Sequence, residues 1–394
     1  MDALVQQKVE QAVGILAELQ TDAWLTFVRE TSCAPDPVLP LIYGATLTWN
    51  SALILTRSGE RIAILGRFEV ETARRTGAYH EVIGYDQSIQ PELLRVLDRL
   101  APRKIAVNTS TSDPAADGLT HGMYLNLTRY LEGTPHAGRL VPAEAVIAAV
   151  RGRKTPAEVE RIRRAVATTE RIYENTFRYL RPGQTEREVA DFMHQQLEEF
   201  QVQVAWDYDS CPAVNSGPES PVGHSGPGEI RLERGHILHF DFGVRQEAYC
   251  SDIQRLVYLL RPGEKQPPEE VQRGFSTIRR AIQETARGLH PGMKGFEADA
   301  IGRGIVTAAG YPEYPYGTGH QVGRNAHDGG ALLAPHYERY AAAPDMQVEA
   351  GHVYTLEPGL AVPGYGYIGL EEDVLVTEAG AEFLSTPQTE LVLL

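Results

Sequence analysis

The chain has 394 residues, of which 42% are hydrophobic and 23% charged, and its formal net charge is −15. That length exceeds one ordinary core, so two domains are expected from a composition typical of globular proteins. The acidic balance argues against nucleic acid or anionic lipid as a partner, and no apolar run reaches the roughly 20 residues of a membrane span.

Residues 1–19 are polar and helix-patterned, with apolar positions from 5 to 19 at helical spacing. They lack the basic, apolar and small-residue regions of a signal peptide, so a cytoplasmic location is expected. Three widely spaced cysteines, Cys33, Cys211 and Cys250, fit a reducing compartment better than a disulfide framework or a cysteine zinc site.

Residues 23–28 read as a short apolar strand. Residues 51–56 and 61–65 read as two more, forming a hairpin around Ser58-Gly59. A helix over 92–100 precedes a strand over 104–107. Together these predict an α/β domain over residues 1–150, without a nucleotide-binding glycine fingerprint. Its unusual segment is 33–44, where Pro35, Pro37 and Pro40 oppose helix and central strand, so a loop is predicted. Val38, Leu39, Leu41 and Ile42 make that loop very apolar. It either packs on its own domain or reaches a neighbour, and a homodimer contact is expected of it.

The second domain, 151–394, opens after Arg151-Gly152-Arg153-Lys154. Thr155, Pro156 and Glu158 make a helix start with a capping box, and Thr185 with Glu188 makes a second. Helices over 269–289 and from about 296 repeat this pairing. Each pair leads into strands that carry acids, which predicts two similar α+β halves with a site between them.

In His239-Phe240-Asp241-Phe242-Gly243, strand alternation turns Asp241 away from the two phenylalanines. An aspartate in that setting is costly unless it meets a cation. Asp252 follows eleven residues later, and the polar stretch 243–248 predicts a hairpin that sets the two aspartates side by side. Taken singly, D-x10-D, the glycine-flanked His320, Glu357 before Pro358-Gly359, and Glu371 in Glu371-Glu372-Asp373 all have bland explanations. Together they offer four carboxylates and one imidazole, a ligand set for two divalent cations sharing carboxylates and a water. Two metals about 3.5–4 Å apart favour hydrolysis of a carbonyl compound.

The order Asp, Asp, His, Glu, Glu resembles the pita-bread metallopeptidases. The matching blocks are D-F-G…Y-x-S-D at 241–252, G-H at 319–320, L-E-P-G at 356–359 and E-x-x-V-L-V-T at 371–377. The resemblance implies a creatinase-like N-terminal α/β domain before a pita-bread catalytic domain with duplicated α+β halves. It implies that Asp241 and Asp252 bind one metal, with Asp252 bridging. His320 and Glu357 bind the second, and Glu371 bridges both; Glu371 is preferred to Glu372 because it keeps the motif spacing. Glu357 also takes the proton of the attacking water. His224 contacts substrate and His327 stabilises the tetrahedral species, neither being a ligand. Manganese is the expected metal, with cobalt and zinc as alternatives.

Three positions depart from the proline-specific members. Tyr316 replaces a histidine, Gly369 replaces an arginine, and Asp252-Ile253-Gln254-Arg255 replaces D-x-T-R. The leading expectation is cleavage of the Xaa-Pro bond in dipeptides or short peptides, with dipeptides favoured. Arg29 or Arg324 would then bind the free carboxylate, and Tyr316 would line the substrate site. The alternatives are a methionine aminopeptidase-type exopeptidase and an inactive pita-bread binding protein. The N-terminal domain weighs against the first and the complete ligand set against the second.

Overall fold

The computed structural model describes residues 3–223 and 225–394, and the chain divides into two compact units, Met1–Arg151 and Gly152–Leu394. In chain order the first unit runs α1 Ala3–Glu18, β1 Ala23–Val28, α2 Leu39–Ile42, β2 Ser51–Thr56, β3 Arg61–Gly66, α3 Val70–Thr76, β4 Glu81–Tyr85, α4 Gln90–Leu100, β5 Ile105–Val107, α5 His121–Leu131, β6 Leu140–Pro142 and α6 Glu144–Gly152. The six strands form one mixed sheet in the order β4-β3-β2-β1-β5-β6.

Every residue of β1 and β2 is buried, as expected of central strands covered on both faces. Alternation sends Trp24 and Val28 to one face, where they pack with Val9 and Leu16 of α1 and Ile147 of α6. Leu25 and Phe27 face the other way, against Leu93 and Leu97 of α4 and Leu127 of α5.

The proline-rich segment corrects the expectation of an irregular loop. It contains the helical turn α2, and Val38, Leu39, Leu41, Ile42 and Tyr43 are buried in the first unit's own core. Pro40 sits in the first turn of that helix, where its missing N–H costs nothing. The apolar residues are therefore satisfied within their own unit, and the reason for assigning them to a homodimer contact falls away.

The second unit opens with α7 Pro156–Tyr179 and α8 Glu186–Phe200. Both capping boxes are complete: Thr155 and Glu158 exchange side chain-to-backbone bonds, as do Thr185 and Glu188. Then follow β7 Gln203–Val204, β8 Ala213–Ser216, β9 Ile237–Phe242, β10 Val244–Gln246, β11 Tyr249–Cys250 and β12 Ile253–Tyr258. A second helix pair, α9 Glu269–Gly288 and α10 Gly295–Ala308, precedes β13 Val353–Leu356, β14 Gly359–Val362, β15 Gly366–Gly369, β16 Glu372–Thr377, β17 Gly380–Phe383 and β18 Val392–Leu393. The helix-pair-then-strands pattern thus occurs twice. Tyr173 of α7 packs edge-on against Phe240 and Phe242, which fixes the helix-covered face of β9 and leaves Asp241 on the opposite one.

Candidate active site

β9 and β12 are antiparallel, with Phe242 opposite Ile253 and Asp241 opposite Gln254. Asp252 precedes β12 by one residue, so strand parity puts it on the same face as Asp241, diagonally across the ladder. The turn between them is tighter than a plain loop. The hairpin continues through β10 and β11 and reverses at Glu247-Ala248, both with positive φ (49° and 66°).

His320 reaches the same place from a different segment. Its Nε2 lies 3.3 Å from Glu357 Oε1 and 3.8 Å from Asp252 Oδ2. Thr355 ties ligand to ligand. Its hydroxyl accepts the His320 backbone N–H at 3.1 Å and donates to Glu357 Oε1 at 3.3 Å. Glu357 follows β13, where its own N–H bonds Thr318 O at 2.8 Å.

Glu371 and Glu372 separate cleanly. Glu372 begins β16 and is committed to Arg255 through two parallel bonds of 3.1 Å, with Ser385 and Gln388 as further donors. Glu371 is buried, and its Oε2 has no hydrogen-bond partner. Asp373, two residues on, faces the same way as Glu371 and accepts the Asp252 N–H at 3.2 Å. The sequence reading passed over Asp373 and Thr355. The signals were the third acid of Glu371-Glu372-Asp373 and the alternate position before Glu357.

Among the described residues, Asp252, His320 and Glu371 form one group whose ligand atoms all lie within 4.8 Å of one another. Glu357 joins it through His320. Burial pushes Asp241 up to about 7 and, with the charge of Asp241 added, Glu357 up to about 8. Burial and the surrounding carboxylates hold Asp252 and Glu371 well above the usual carboxylate range. Burial, followed by neighbouring His327, keeps the His320 imidazole neutral, the form that offers a lone pair to a metal.

These residues fit a metal pair on chemical grounds. Asp241 Oδ1, Glu371 Oε2 and Asp373 Oδ1 are buried without partners, and unpaired buried carboxylate oxygens are costly. Hard oxygen donors with one imidazole suit divalent cations, which keep clustered carboxylates ionised.

Tyr316 is half-buried beside this centre and shares a hydroxyl–hydroxyl hydrogen bond with Tyr367. Gly359 and Gly369 are cross-strand partners, each two residues from a candidate ligand, Glu357 or Glu371. A Cβ at 359 would meet the hydroxyls of Tyr367 and Tyr316 at 1.9 and 2.6 Å. A Cβ at 369 would meet Gln254 Oε1, His239 Nε2 and Tyr367 Cε1 at 2.4, 2.7 and 2.9 Å. The three departures at 254, 316 and 369 are thus one linked arrangement around Tyr367, which the sequence alone did not single out. His239 belongs to it. Burial pushes its imidazole down to about 4, and the neutral ring bonds Asn215 and Gln254 at 3.0 and 2.8 Å.

His327 is exposed, and its ring stands edge-on to His320 with centroids 4.1 Å apart. Arg324 lies over the Tyr249 ring at 5.6 Å, and Tyr249 in turn donates to Glu158 at 2.9 Å. Arg29 is exposed just after β1 of the first unit. His224 lies outside the described residues.

Comparison with known proteins gives this geometry a family. Residues 160–378 match metallopeptidase family M24. An uncharacterized peptidase of Staphylococcus saprophyticus is 29% identical over 96% of this chain and 99% of its own. An Xaa-Pro dipeptidase from Bacillus anthracis superposes with a TM-score of 0.74 at 24% identity, covering 99% of this chain and 100% of that one. An X-Pro aminopeptidase from Thermotoga maritima does so at 0.71 and 23% identity, covering 98% and 99%. The fold is therefore that of these M24 structures over the whole chain, an N-terminal creatinase-like α/β domain followed by the mixed α+β pita-bread domain. The family match covers more than half of the sequence and contains all five candidate ligands, so the chain belongs to metallopeptidase family M24.

Proposed function

We propose that this M24 peptidase hydrolyses the Xaa-Pro peptide bond with a dinuclear centre at Asp241, Asp252, His320, Glu357 and Glu371. The observation that carries the reading is the convergence of these side chains from β9, the start of β12, the His320 loop, the end of β13 and the start of β16, with buried oxygens left unpaired. Held by these five side chains, two cations would supply Lewis acidity to the scissile carbonyl and to the attacking water. Glu357 accepts the proton of the attacking water, a task open to its carboxylate once the cations keep it ionised. His327, beside His320, donates to the oxygen that gains charge at the scissile carbonyl. His224 contacts the substrate.

Proline specificity is supported by the full-length similarity to structures named Xaa-Pro dipeptidase and X-Pro aminopeptidase. Manganese is the proposed metal, and the cytoplasm, where three free thiols persist, is the proposed compartment. We further propose that dipeptides are favoured. Arg29 or Arg324 is the guanidinium proposed for the substrate carboxylate. The test is steady-state kinetics of manganese-loaded enzyme on Ala-Pro, Ala-Pro-Ala and Met-Ala-Ser. The proposal requires the highest kcat/KM on Ala-Pro. Preferential release of methionine from Met-Ala-Ser would overturn proline specificity, and a preference for Ala-Pro-Ala would overturn the length assignment alone.

A further inference from the structure

Lys154 precedes α7 and is almost wholly buried, an unusual place for a lysine unless it is paired. Its Nζ lies 3.3 Å from Asp328 Oδ2, and the two side chains are 1% and 3% exposed. Gln321 Oε1 is 3.5 Å from the same ammonium. Asp328 closes the loop that begins at His320. Its backbone N–H bonds Gln321 O at 2.9 Å, and its Oδ1 accepts the Asn325 N–H at 3.3 Å. The loop has no slack on the inner side. A Cβ at Gly323 would fall 2.2 Å from Asp328 Oδ2 and 3.0 Å from Lys154 Cε. Outside, Gly323 O accepts the Cys250 N–H at 2.8 Å, two residues before Asp252. The lysine's own backbone is held by Gly351 O at 2.9 Å.

We infer that Lys154 is a positioning residue for catalysis: through its buried ion pair with Asp328 it fixes the 320–328 loop so that His327 stands over His320. His327 is carried by the same stretch of backbone that Asp328 ties down. Asp328 adjoins it, and Lys154 faces Asp328 from outside the loop. The inference rests on the catalytic role proposed above for His327.

The test is a mutant cycle with a second readout that needs no activity. Lys154→Met should lower kcat on Ala-Pro by about 10-fold or more, within the range of a displaced transition-state donor. KM and metal content should stay near wild type, and Lys154→Arg should recover most of the loss. In a His327→Ala background, Lys154→Met should cause no further loss, because the group it positions is gone. An equal further loss there would overturn the inference, as would wild-type kcat in Lys154→Met. Should Lys154→Met fail to fold, Lys154→Met/Asp328→Asn removes the stranded buried carboxylate and carries the same expectations. The second readout is the His327 imidazole NMR signal in metal-free protein, assigned by its loss in His327→Ala. It should move in Lys154→Met and return in Lys154→Arg; an unmoved signal contradicts the inference. If His327→Ala retains full activity while that signal moves, the coupling stands and the proposed role of His327 fails.

Discussion

Replacing Gly369 by alanine adds one methyl group where the structure leaves none of the needed space. Three atoms would lie within 3.0 Å of the new carbon: Gln254 Oε1, His239 Nε2 and Tyr367 Cε1. The Gln254 end could swing aside, but it is held by His239, whose ring is itself buried and bonded to Asn215. The aromatic ring of Tyr367 has its own tie to Tyr316. Overpacking of this kind costs about 1–3 kcal/mol. At roughly 2–4 °C per kcal/mol for a unit of this size, melting should fall by about 2–12 °C. Because Gly369 is two residues before Glu371, metal affinity should fall as well. Differential scanning fluorimetry with and without manganese measures both effects. Gln254→Ala removes the nearest of the three contacts, so combining it with Gly369→Ala should cost less than the sum of the two, by about 0.5 kcal/mol or more. A melting point for Gly369→Ala within 1 °C of wild type (roughly the error of the ~2 °C lower bound above), or strict additivity with Gln254→Ala, would refute the packing argument.

Metal-free protein should lose stability as pH rises. Asp241 and Glu357 are raised to about 7 and about 8 in the folded state, so below those values the fold binds more protons than the unfolded chain. Their contribution is fully present below about pH 4 and is lost as pH rises through about 7 and about 8. Thermal melts after chelation should therefore fall between pH 5 and 8, and manganese should raise the melting point more at pH 8 than at pH 6. A metal-free melting point that rises across this window would contradict the assignment. Arg29→Ala should raise KM for Ala-Pro several-fold while leaving Ala-Pro-Ala unchanged; equal kinetics on both substrates would remove Arg29 from carboxylate binding.

Signals confined to a few residues were legible in the sequence. Thr155-Pro156-Ala157-Glu158 specifies a helix start by its own hydrogen bonds, and both bonds of that capping box are formed. The uniformly apolar run at 23–28 is a buried central strand from end to end. The five candidate ligands were singled out because each lies in a short motif at a strand or loop boundary, and three of them, Asp252, His320 and Glu371, come within 4.8 Å of one another. The rest depended on what the chain folds against. Val38 and Leu41 looked too apolar for a loop because nothing local shows that the core around α1 and α6 covers them. Glu372 and Asp373 differ only in strand parity, which the pairing of β16 with β13 decides. Tyr367 gained meaning once Gly359 and Gly369 were seen to face each other. Lys154 and Asp328 meet only in the folded unit, across more than a hundred residues of chain.

The central claim is a two-metal centre on five named side chains, and metal stoichiometry tests it most directly. Protein stripped with chelator, reloaded with manganese and desalted should carry two ions per chain by elemental analysis. Glu371→Gln should lower that number while its neighbour Glu372, held by Arg255, stays in place. Asp252→Asn should do the same, because it removes charge from the other proposed bridge. One ion or none in the wild type, or two ions retained in both Glu371→Gln and Asp252→Asn, would contradict the account.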